Sequence, residues 1–62
     1  MTHNYIVEGG AFTKVYLRYY VPEKGAIGIA DNIREATRYT RDAAHAVSHF
    51  LGHTWKPVEI ME

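Results

Sequence analysis

Val15-Tyr16-Leu17-Arg18-Tyr19-Tyr20-Val21 is the stretch whose reading decides the fold class. It is rich in β-branched and aromatic residues, and a period of two splits it into two sets. Val15, Leu17, Tyr19 and Val21 fall on one side of an extended chain; Lys14, Tyr16, Arg18 and Tyr20 fall on the other. The first set reads as the core face of a half-buried strand. Pro22 lacks a backbone donor and ends it. Upstream, Tyr5-Ile6-Val7-Glu8 is a second β-prone segment, separated from the run over residues 12–21 by Gly9-Gly10. Glycine reaches the positive φ of tight primed turns at little steric cost, so the two segments are expected to pair as a hairpin.

Downstream, Pro22-Glu23-Lys24-Gly25 reads as a turn, and Ala26-Ile27-Gly28-Ile29-Ala30 as a loop or a short strand interrupted by glycine. Asp31-Asn32 marks another turn, and residues 33–39 read as irregular structure, with a helical turn or a short edge strand as the alternatives. Thr40 then signals a helix. Its hydroxyl can accept from a free amide of the first turn, and Asp42 suits the positive dipole end. Ala43, Ala44, Val47, Phe50 and Leu51 recur at spacings of three and four as one apolar stripe, and Gly52 closes the helix. Trp55-Lys56-Pro57-Val58-Glu59-Ile60-Met61 reads as a last strand, placed at an edge or begun at Val58 because of Pro57. The expected fold class is α+β. A three- or four-stranded, mainly antiparallel sheet carries one helix on one face, in β-β-α-β order, as a single domain over residues 1–62.

With 62 residues there is room for one core, and below about 70 residues such a core yields only a few kcal/mol. There is no cysteine, hence no disulfide framework and no thiolate zinc site. Hydrophobic residues at 47% mark a chain that folds rather than a disordered tail. Seven Lys and Arg balance seven Asp and Glu, which argues against an acidic nucleic-acid mimic and against a polybasic DNA or membrane binder. Met1-Thr2-His3-Asn4 is polar, and no apolar run approaches the about 18 residues of a membrane span. A cytoplasmic location with no membrane partner is therefore expected.

The face bearing Lys14, Tyr16, Arg18 and Tyr20 alternates base and aromatic, and it is open if the helix covers the other. Trp55 joins it in one register of the last strand. Tyr, Trp and Arg dominate interface hot spots, so this surface is expected to bind a protein. The same face suits a single-stranded nucleic acid, by stacking bases and neutralising phosphates, although zero net charge weighs against it. Homodimerisation through this face, or homo-oligomeric assembly with no other partner, is a further alternative. Arg34, Arg38 and Arg41 with Glu35 and Asp42 read as a solvated surface with local ion pairs.

His45, His49 and His53 are spaced i, i+4, i+8 along the exposed side of the helix. His45 and His49 can reach one ion, but a structural zinc generally takes four ligands. They are the candidate ligands; no metal or other cofactor is expected. Catalytic signatures are missing: there is no cysteine nucleophile, no Gly-x-Ser-x-Gly elbow and no Gly-Lys-Ser/Thr phosphate loop. Ser48, the single serine, is expected to face partly outward on the helix. No enzyme is expected.

The N-terminal hairpin, Ala36-Thr37-Arg38-Tyr39-Thr40-Arg41-Asp42-Ala43-Ala44 opening the helix, and Leu51-Gly52 before Trp55-Lys56-Pro57-Val58-Glu59-Ile60 resemble small proteins encoded by bacteriophages and other mobile elements. The resemblance is one of architecture. It implies a non-catalytic binder of a host macromolecule, such as an anti-CRISPR protein or another inhibitor of a host factor. Many such inhibitors are acidic whereas this chain is neutral, so what is implied is steric occlusion of a bacterial protein surface. The resemblance assigns no binding residue.

Overall fold

The computed structural model describes residues 3–60. Met1 and Thr2, read above as part of a polar start, and Met61, read as part of the last strand, lie outside the described residues. The elements are β1 (Tyr5–Gly9), β2 (Val15–Val21), β3 (Ala26–Ala30), a 3-10 turn (Ile33–Glu35), α1 (Arg41–Leu51) and β4 (Lys56–Glu59). The strands form one antiparallel sheet in the order β3-β2-β1-β4. The helix packs on β1 and β4. The α+β class, the antiparallel sheet and the single helix are as the sequence predicts, and residues 26–30 are its fourth strand.

The helix forms where its end signals place it. The Thr40 side chain accepts from the Ala43 amide at 3.2 Å, and the Gly52 amide donates to the Ser48 carbonyl at 3.1 Å. The stripe that enters the core differs from the expected one: Ser48 takes the place of Phe50, and Ala43 is half-buried outside the core cluster. Phe50 is 74% exposed, whereas Ser48, expected to face partly outward, is 7% exposed. Ala44, Val47, Ser48 and Leu51 form the inward side. The Ser48 hydroxyl is satisfied by donating to the His45 carbonyl at 3.0 Å, so burial leaves no polar atom unpaired.

The hairpin exists, but not with a tight turn. Gly9 is the last residue of β1, and residues 10–14 form a five-residue loop, so Phe12 belongs to the loop and not to the strand. Gly10 has φ +104°, and a side chain there would run into the Thr13 carbonyl. The loop folds back on itself instead of closing in two residues.

β1 and β2 pair only at Glu8↔Tyr16 and Gly9↔Val15, then part. Residues 37–39 fill the opening. Tyr39 and Tyr5 exchange backbone hydrogen bonds of 2.7 and 3.0 Å, while the Thr37 amide donates to the Leu17 carbonyl at 3.1 Å. The Thr37 hydroxyl donates to the Arg18 carbonyl. Arg18 is the extra residue of a β-bulge: Leu17 pairs with Ile29 and Tyr19 with Gly28, with no partner between. Thr37 thus takes up the carbonyls that the bulge turns out of the ladder.

The bulge reverses the alternation beyond Leu17. Tyr20, expected on the open face, packs against the cluster of Val7, Leu17 and Ala44. Tyr19, expected in the core, is 53% exposed. A period-two pattern holds only while the ladder is uninterrupted. The opposite face is not bare either: Ile6, which alternates with Val7 and pairs with Val58, is fully buried.

Among the described residues no helix is long and apolar enough to cross a membrane. Thr40→Ala should lower stability by about 1 kcal/mol, read as a fall in the urea midpoint, while Thr40→Asp stays within a few tenths. An equal loss in both variants would contradict the capping role.

Candidate functional site

The five residues expected to share one face are divided by the fold. Tyr16 is half-buried on the face away from α1, in a row across the sheet with Lys56, Glu8 and Ala30. Arg18 is exposed at the bulge, and Tyr20 lies on the helix side. The alternating base and aromatic ladder is therefore broken after Tyr16, because one inserted residue turns Tyr20 through the sheet.

Lys14 and Trp55 do come to one end of the molecule. Lys14 closes the β1–β2 loop and lines a cleft of about 330 Å³ with Phe12, His53 and Lys56. Trp55 lies beside it, immediately before β4. Its amide donates to the Gly52 carbonyl at 3.1 Å, closing the turn that leaves α1. The indole lies on Gly9: a Cβ built there would stand 2.7 Å from the Trp55 Cδ2 and Cε3 atoms. Gly9 is thus required by close approach, in addition to ending the strand.

The outstanding residue of this end is one the sequence reading placed inside a strand. Phe12 is fully exposed at the loop. Lys14 and Lys56 line its cleft together with a single carboxylate, Glu8. An apolar ring in water among cations is the arrangement of an interface anchor with a charged rim. The pattern that could have signalled it is local: Gly9-Gly10-Ala11 precedes Phe12, and small residues in a row favour a loop over a strand.

His45, His49 and His53 are all exposed and line, with Ser48 and Trp55, a second groove of about 500 Å³. Their rings have neighbours of their own. The His45 ring is tilted 53° to the Tyr5 ring at 6.2 Å, and the His49 ring meets the Phe50 edge at 6.4 Å. Among the described residues there is no group of three or more His, Cys, Asp or Glu able to hold a metal ion. Burial pushes the Tyr39 phenol above its usual pKa, in keeping with its place at the core margin.

Trp55 is the single tryptophan, so its emission reports this end alone. Gly9→Ala should displace the indole, shift its emission to longer wavelength and cost about 1–3 kcal/mol of stability. An unshifted spectrum with unchanged stability would contradict the packing of Trp55 on Gly9.

No protein-family model, curated protein or solved structure matches this chain.

Proposed function

We propose that the chain is a non-catalytic protein-binding module whose contact surface is the loop end, with Phe12 as anchor and Lys14 and Lys56 as the rim. The observation that carries this reading is the full exposure of Phe12 on a loop anchored beside a packed tryptophan. A phenyl ring left in water contributes nothing to the fold, yet transferring it into a partner's pocket is worth about 1.5–3 kcal/mol. The matching partner surface has an apolar pocket and an acidic margin.

Steric occlusion of a bacterial protein, as in an anti-CRISPR protein or other host-factor inhibitor, is the corresponding mechanism; that part of the reading rests on the architectural resemblance. The division of the Lys14, Tyr16, Arg18 and Tyr20 ladder removes the main support for a single-stranded nucleic-acid surface. Ser48, the single serine, is buried and bonded to backbone.

The test is affinity capture from bacterial lysate, before and after nuclease treatment, with wild type, Phe12→Ala and Phe50→Ala, quantified by mass spectrometry. Phe50 is the control, being an exposed phenylalanine on the helix. A protein partner should be retained by wild type and Phe50→Ala, and be weakened at least tenfold by Phe12→Ala with an unchanged circular dichroism spectrum. Equal capture by Phe12→Ala, or recovery of nucleic acid alone before nuclease, would overturn the assignment.

A further inference from the structure

β3 forms one edge of the sheet, and no strand lies along its outer side among the described residues. Soluble proteins blunt such edges with lysine, proline or a bulge. The opposite edge, β4, carries Lys56 and Pro57. β3 has none of these devices. It is uncharged, contributes consecutive residues to its ladder with β2, and leaves Ile27 43% and Ile29 50% exposed. These two side chains share the helix-side face with their partners Tyr20 and Leu17, over the half of the sheet that α1 leaves open.

The sequence of this edge names its occupant. Ala26-Ile27-Gly28-Ile29-Ala30 reads the same in both directions. Antiparallel pairing of two copies about a two-fold axis at Gly28 sets Ala26 against Ala30 and Ile27 against Ile29, with no like charges opposed. A shift of one residue would place isoleucine against alanine or glycine and lose that match. The axis runs through the sheet, so it keeps the isoleucines of both copies on one face, where they meet in a single apolar patch. We infer that the protein forms a closed homodimer by pairing β3 with β3 of a second copy into one eight-stranded sheet. Growth stops there, because the outer edges of the dimer are the two β4 strands with Lys56 and Pro57. Phe12 belongs to a different segment, so this pairing is independent of the loop-end surface.

The experiment is sedimentation equilibrium from about 1 µM to about 1 mM, the span in which a small interface dissociates. Wild type should pass from one chain to two and no further. Ile27→Lys with Ile29→Lys opposes like charges across the axis and should remain monomeric throughout. Ile27→Lys with Ile29→Glu places the cation of each copy against the carboxylate of the other and should restore a dimer that weakens with salt. Circular dichroism checks that both variants fold; if either fails to, the wild-type series still decides. A wild type that stays monomeric or grows beyond two chains would overturn the inference. So would a folded lysine pair that dimerises like wild type, or a folded lysine–glutamate variant as monomeric as the lysine pair.

Discussion

Tyr39 and Tyr5 exchange two backbone hydrogen bonds, of 2.7 and 3.0 Å, in the gap where β1 and β2 separate. Two residues earlier Thr37 caps the Leu17 and Arg18 carbonyls, and one residue later Thr40 opens the helix. This short extended segment fixes three things at once. It keeps β1 and β2 from pairing along their whole length, supplies the partner that makes the bulge at Arg18 affordable, and starts α1 directly over β1. The tilted contact between the Tyr5 and His45 rings lies one helical turn further on. In so small a protein, with Ile6, Val7, Leu17, Ala30 and Ala44 as the buried apolar residues among those described, backbone pairing of this kind carries a large share of the specification of the fold.

The surfaces follow from the same constraint. Because the helix begins above β1, it covers β1 and β4 and leaves the β2–β3 half of that face open. Because Arg18 is inserted in β2, Tyr20 turns inward and Tyr19 outward, with the Tyr19 ring lying over Gly28. Tyr5, Tyr20, Tyr39 and Trp55 are thereby packed on the core cluster, and large apolar side chains stay exposed at Phe12, at Ile27 and Ile29 of β3, at Ile33 and at Phe50. The loop ring of Phe12 stands apart from the isoleucine pair of β3. These suit different occupants, a pocketed partner in the first case and a self-complementary edge in the second.

The parts of the fold written in local chemistry were legible in the sequence. Thr40 and Gly52 bound the helix because their side-chain and backbone requirements are met within one turn. Pro22-Glu23-Lys24-Gly25 forms its turn for the same reason, with the Lys24 amide on the Val21 carbonyl at 3.1 Å. What escaped depends on contacts distant in the chain. A bulge adds one residue without any mark in a period-two pattern, so Tyr19 and Tyr20 exchange faces unseen. Phe50 is more apolar than Ser48, yet the helix rotation set through Tyr39 and Tyr5 buries the serine. Of the candidate site, Lys14 and Trp55 lie at the loop end, whereas Phe12 was hidden by its own β propensity.

The central claim is that residues 37–39 are an integral part of the sheet. Backbone amide hydrogen exchange, followed residue by residue by NMR, tests it directly. The Thr37 and Tyr39 amides, bonded to Leu17 and Tyr5, should be protected to within about an order of magnitude of the amide of Ile6, which pairs with Val58. Exchange of Thr37 and Tyr39 as fast as the exposed turn amide of Glu23 would contradict the account.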